Sequence, residues 1–293
     1  MACLAPSTRN TKPWQFHQKE EKITLHPDFS RWLPFDDPQQ KQLYLSLGCA
    51  LENLLIALKY QGWKVETDCD LEGKEPSIHV HLKSKGAPTP SPLFEAIEKR
   101  HTYMSLFASQ KISGMDRLAE IGGGQLLLSE DNSLKRAINE LCVQTDIDLF
   151  LNPKFCSQVR QLDQPPGSYS EFFILKLQMM AARLKGISTP SIMESAPTLG
   201  LFLVEKAAPL NWVRCGQMFE RLFLEVTHLG LKLKPYSICL REKAGQEQVA
   251  NLFNVKADIP ALLFCVGYPI STRGPHRGEQ IFPIGGSYTI YRK

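Results

Sequence analysis

The chain has 293 residues, 43% of them hydrophobic and 22% charged, which fits a folded globular protein of one large domain or two fused ones. Its formal net charge of +4 is scattered, with no Lys/Arg run longer than two, and this argues against a nucleic-acid or membrane-surface binder. Eight cysteines, at 3, 49, 69, 142, 156, 215, 239 and 265, form no Cys-x-x-Cys pair and no Cys/His ligand spacing. A reducing compartment is therefore expected, with no disulfide framework and no metal site. Apolar runs such as Ala261 to Val266 fall short of the roughly 20 residues that span a bilayer. Met1 is followed by no charged and then apolar leader pattern, and the expectation is a soluble, cytoplasmic protein.

The first informative stretch is Ala5-Pro-Ser-Thr-Arg-Asn-Thr-Lys-Pro-Trp14. Its hydroxyl, amide and backbone N–H groups suit a polar planar ligand or a phosphate ester, although Ser/Asn/Pro loops also serve as plain turns. A helix is expected after Asp36-Asp37-Pro38, where an Asp caps and a Pro suits the first turn, and it stops at Gly62. Leu43, Leu47, Leu51, Leu54, Leu55 and Leu58 form its apolar stripe. Strands are expected over Trp63 to Thr67 and Ile78 to Leu82. On the second of these, His79 and His81 alternate onto one face as an ordinary surface pair.

Pro88, Pro90 and Pro92 mark a join. Beyond it, Leu93 to Arg100 reads as a helix ending in Arg100-His101-Thr102. That triplet is either an anion-gripping group of donors or a set of cations complementing the helix dipole. Gly122-Gly123-Gly124 precedes a strand, Gln125 to Ser129, and so reads as a turn rather than a phosphate cradle. A helix follows over Leu134 to Phe150, and Ser168 with Glu171 makes a capping box ahead of a further helix, Phe172 to Leu184. A second long helix starts near Asn211-Trp212 and stops at Gly230, with Met218, Leu222, Phe223 and Val226 inward. Strands over Leu231 to Leu233 and Ala261 to Gly267 complete the pattern.

The two long helices match without a gap. Gly48 falls on Gly216, Glu52 on Glu220, Leu54 on Leu222, Leu55 on Phe223 and Gly62 on Gly230, each pair 168 positions apart (from 48 to 216, for example). Helix then strands, twice, predicts two half-domains packed as a pseudo-dimer. The boundaries are 1–90 for the first half, truncated at its N-terminus, and 91–293 for the second, with an insert at 105–168 long enough to form a lid.

Four blocks resemble the nitroreductase family of flavin enzymes, and more closely its internally duplicated branch, which includes the mycobacterial Acg-like proteins. They are Ala5-Pro6-Ser7-x-x-Asn10-x-x-Pro13-Trp14, Arg31-x-Leu33-Pro34-x-x-Asp37-Pro38, Ala96-Ile97-x-x-Arg100-His101-Thr102, and Gly216-Gln217 through Gly230 to Gly267-Tyr268 and Pro275-His276-Arg277. The resemblance implies an α+β fold of two pseudo-symmetric halves, each with a central helix on an antiparallel or mixed sheet. It further implies one FMN per chain, gripped by Ser7 and Asn10 from one half and Arg100, His101 and Thr102 from the other. Arg277, with His276 and Arg273, falls where the family places a cation on the FMN phosphate, and Pro235-Tyr236-Ser237 falls where a backbone N–H meets flavin N5.

The chain departs from that branch in two places. Met104 stands where a basic residue is usual, and Lys12 stands where the loop usually has Gln, so Lys12 is expected to supply the charge from the other side. No other catalytic constellation competes, and the flavin carries the chemistry. The implied activity is electron transfer from NAD(P)H through flavin N5 to a nitro compound, a quinone or another small acceptor. The alternative is an FMN storage protein with little turnover. Either would be a pseudo-dimeric monomer or a homodimer of such chains.

Overall fold

The computed structural model describes residues 1–113, 115–122, 125–161 and 191–270. The regular elements run β1 (Trp14–Lys19), β2 (Lys22–Pro27), α1 (Lys41–Tyr60), β3 (Trp63–Asp70), β4 (Ser77–Lys85), α2 (Pro92–Lys99), α3 (Met115–Gly122) and β5 (Leu126–Ser129). They continue with α4 (Asn132–Phe150), α5 (Pro153–Gln161), β6 (Thr198–Val204), α6 (Pro209–His228), β7 (Lys232–Tyr236), α7 (Lys243–Leu252) and β8 (Ile259–Gly267). The expected capping box at Ser168 and Glu171, the helix after it, and the second and third glycines of Gly122-Gly123-Gly124 lie outside the described residues.

Both sheets are four-stranded and antiparallel, and they share one topology. The first runs β1-β2-β4-β3 with α1 inserted between β2 and β3; the second runs β5-β6-β8-β7 with α6 inserted between β6 and β7. The central helices coincide at both ends under the 168-position offset, from Lys41 to Pro209 and from Tyr60 to His228. Each ends on a glycine in the left-handed region, Gly62 at φ 85° and Gly230 at φ 73°, where any other residue would be strained. At the other end of α1, Asp37 caps as expected, accepting from the Leu43 N–H at 2.9 Å. Pro38 lies ahead of the helix rather than in its first turn, because the chain passes Gln40 in a left-handed conformation, φ 57°.

The α+β architecture with two pseudo-symmetric halves is thus as expected. One core spans the seam: Leu25, Leu47, Leu51, Ile78 and Val80 from the first half pack with Phe202, Phe219, Leu222 and Phe264 from the second. Fully burying each such side chain contributes about 1.5–3 kcal/mol. Among the described helices, α1 alone is long and apolar enough to cross a membrane by length and composition, and 72% of its apolar window is buried inside the protein. It is the inner helix of this core.

The outer faces differ. The first sheet presents His17, Thr24, His79 and Asp68 outward in register, so its strands alternate. The second is covered on its outer side by Ile138, Cys142 and Leu149 of α4 and Val249 of α7. The described residues between 105 and 161 supply β5 and, through α4, part of this covering layer.

Candidate functional site

The Ala5–Trp14 stretch folds as a tight strained loop. Arg9, Asn10 and Lys12 have φ of 50°, 55° and 49°, a region that costs an ordinary residue about 1–2 kcal/mol. Side chains hold it there. Ser7 Oγ accepts from the Lys12 N–H at 2.9 Å, and Thr8 Oγ1 donates to Gln42 Oε1 on α1 at 3.2 Å. Arg9 is buried: its Nε donates to Asp36 Oδ2 at 2.5 Å, and its guanidinium lies 5.0 Å from the Phe155 ring of α5. The loop is fastened on two sides, so its remaining polar groups keep a fixed direction.

Facing it is the end of α2. Arg100 donates through Nη2 to the Leu4 carbonyl at 2.8 Å, its guanidinium lies 5.0 Å from the Phe223 ring, and its Nε stands 3.5 Å from Glu220 Oε1. Glu220 has no exposed surface, and burial raises its carboxyl to about 7 against the pull of Arg100 and Asn53. Glu52, buried on the facing helix, is raised for the same reason and held by Arg221.

Between these walls lies a cleft of about 250 Å³. Ser7, Asn10 and Lys12 line it from the loop, Arg100 and Thr102 from the segment after α2, and Ser237 from the end of β7, so six of the ten expected site residues meet there. Apolar surface comes from Leu45, Ile97, Phe219 and Leu262. Two side chains of the expected set turn away from the cleft. Strand alternation turns Pro235 and Ser237 to the cleft and Tyr236 to the opposite core, where it packs with Leu199 and Leu263. His101 also turns away from the cleft, with Nδ1 3.0 Å from the Lys99 carbonyl and Nε2 3.4 Å from Lys232 Nζ. Burial lowers its pKa, with Lys232 and Arg100 acting the same way.

Met104 lies on that far side as well, its sulfur 3.7 Å from Lys234 Nζ. Arg273, His276 and Arg277 lie outside the described residues. No described residue from 105 to 161 lines the cleft.

Among the lining residues that sequence reasoning missed are Gln42, Ser46, Cys49 and Glu98. The first three sit on α1 at i, i+4 and i+7, on one face beside the leucine stripe, and a reading guided by that stripe passes over them. Gln42 is the informative one: Thr8 occupies its carbonyl oxygen, and its buried Nε2 has no partner among the described residues.

No family model matches the chain. Two proteins from two strains of Mycobacterium tuberculosis, both named as candidate NAD(P)H nitroreductases, are 27% identical to it over 92% of this chain and 83% of theirs. The resemblance is to the nitroreductases. Similar solved structures include the FMN-dependent nitroreductase of Mycobacterium smegmatis in complex with NADPH. It has 12% identity and a TM-score of 0.39, covering 61% of this chain and 87% of its own. Another is an iodotyrosine deiodinase bound to FMN and 3-iodo-L-tyrosine, with 18% identity and a TM-score of 0.42, covering 69% of this chain and 99% of its own. The two mycobacterial relatives align over nearly the whole chain.

Proposed function

We propose that the chain binds one FMN in this cleft and acts as a nitroreductase-like oxidoreductase, moving electrons from NAD(P)H to a small acceptor. The observation that carries the reading is the convergence of Ser7, Asn10 and Lys12 with Arg100, Thr102 and Ser237, which come from both halves and meet once. The residues fit the group. Leu45, Ile97, Phe219 and Leu262 offer apolar surface for a flat ring system, and the unpartnered Gln42 Nε2 offers a donor for a ring carbonyl. Lys12 and Arg100 supply positive charge for a phosphate.

Bound flavin would supply hydride acceptance at N5 and onward electron transfer. The chain's own part is to orient and to set electrostatics: the loop held by Arg9, Asp36 and Gln42 presents its donors at a fixed angle, and Arg100 braces the opposite wall. A cleft of about 250 Å³ is slightly below the ~300–1,000 Å³ of sites that enclose a drug-sized ligand.

The shared topology and the common 168-position offset of α1 and α6 support an origin by internal duplication, with the halves at 1–90 and 91–293. A cytoplasmic location is part of this reading, and eight free cysteines are compatible with it.

Purified protein loaded with FMN should be yellow, with one flavin per chain. Anaerobic NADPH or NADH should bleach it within seconds, and a nitro compound or quinone should restore the colour. Failure to take up FMN would overturn the reading. Flavin that stays oxidised under both nucleotides would replace it with a storage role.

A further inference from the structure

Arg100 serves the cleft wall and also a buried carboxylate. The pseudo-symmetry explains why. Glu52 on α1 corresponds to Glu220 on α6, and Glu52 has its own arginine, Arg221, together with Gln217 Nε2 at 3.3 Å. The position on α1 that corresponds to Arg221 is Asn53. Glu220 therefore faces an uncharged neighbour where Glu52 faces a cation, and its positive partner is Arg100.

We propose that Glu220 is a positioning residue that couples anion binding in the cleft to proton uptake: an anionic group engaging Arg100 neutralises the cation Glu220 relies on, and Glu220 takes a proton from solvent. The coupling rests on the flavin reading above, with the FMN phosphate as the anion. Glu220, Arg100 and the cleft form one contiguous path, with Arg100 3.5 Å from the carboxylate at one end and lining the cleft at the other.

The other groups that act on Glu220 come from α1. Glu52 adds a like charge, Asn53 steadies the ionised form, and the Cys49 thiol, held up by burial and by Glu220, stays neutral. Burial already brings Glu220 to about 7, so a loss of positive potential is met by protonation at ordinary pH. The bound form then holds the proton more tightly than the free form. Affinity is highest at low pH and falls as pH rises from the free-state value to the bound-state value.

The test titrates FMN into apo-protein between pH 7 and pH 9, above the second phosphate ionisation near 6. For a one-unit rise in the Glu220 pKa on binding, Kd should increase about fivefold across this range. Calorimetry in two buffers of different ionisation enthalpy should show net proton uptake near pH 7.5. Both effects should vanish in Glu220→Gln and persist in Glu52→Gln. Wild-type protein that binds FMN with no proton uptake and a flat pH profile overturns the coupling and leaves the flavin site standing. No FMN binding at any pH overturns both. Uptake that persists in Glu220→Gln overturns the assignment to Glu220; should that variant not fold, the two-buffer measurement on the wild type decides.

Discussion

Gly48 and Gly216 meet where α1 crosses α6, so closely that a Cβ on Gly216 would stand 3.1 Å from the Gly48 Cα. The contact is reciprocal. A Cβ on Gly48 would run into the Val213 carbonyl, and one on Gly216 would run into the Leu45 carbonyl, which is the corresponding position 168 residues earlier. In both cases the obstacle is backbone, which cannot rotate aside. Alanine gains about 1 kcal/mol of helix propensity over glycine, but overpacking of a core costs about 1–3 kcal/mol or more, and a clash with a carbonyl lies at the upper end. Gly48→Ala and Gly216→Ala should therefore each lower stability by about 2 kcal/mol or more in urea denaturation. A neutral or stabilising result at either position would refute this helix crossing.

Loss of Asn10, Gln42 or Arg100 should weaken FMN binding. Each places a polar or charged group in the cleft, and losing such a hydrogen bond costs about 1–3 kcal/mol, or about 5- to 150-fold in Kd. Flavin fluorescence titration of the three alanine variants reads the effect. Unchanged affinity in Asn10→Ala and Arg100→Ala, with the fold intact, would separate the two walls of the proposed site.

Two buried lysines make stability depend on alkaline pH. Burial lowers Lys41 to about 8 and Lys234 to about 8 from an ordinary 10.5. The unfolded chain holds protons between about 8 and 10.5 that the folded chain has released, so their contribution to stability rises with pH through that window. Compared with Lys41→Met and Lys234→Met, the wild type should gain in denaturation midpoint from pH 7.5 to pH 10. Glu220 acts in the opposite sense at lower pH: raised to about 7 from 4.5, it is better tolerated in the fold as pH falls through that interval. Parallel wild-type and variant curves across pH would count against these burials.

Cys3 and Cys69 are the exposed thiols, and Cys3 stands at the cleft. A disulfide-exchange reagent should label these two first and the buried Cys49, Cys142, Cys215, Cys239 and Cys265 only on unfolding. FMN should slow labelling of Cys3 and leave Cys69 unaffected. Equal protection at both positions, or at neither, would remove the ligand from this cleft.

The central helices were legible in the sequence because each carries its own stop signal and an apolar stripe: the reading from Pro38 to Gly62 falls on Lys41–Tyr60, and that from Asn211 to Gly230 on Pro209–His228. Strand β6 was not legible. Thr198–Val204 is buried on both faces and lacks the alternation of a half-exposed strand; β8 is buried in the same way and was legible only through its longer apolar run. In the cleft, loop residues carried a recognisable spacing, whereas Gln42 and Ser46 owe their place to the rotation of α1 against the loop. At Pro235-Tyr236-Ser237 the two-residue period of the strand decides which side chains face the cleft, Pro235 and Ser237 and not Tyr236, whereas the expectation there concerned a backbone N–H.

The exposed stretch from Gly86 to Pro90 carries the chain between the halves, tied down by Gly86 N–H to the Gly62 carbonyl at 2.8 Å and Thr89 N–H to the Tyr60 carbonyl at 3.0 Å. Nothing in the shared core depends on covalent continuity there. Two separately made pieces, cut within this stretch, have the same surfaces to offer each other as the intact chain, so they should reassociate into one noncovalent complex, and neither piece should fold alone.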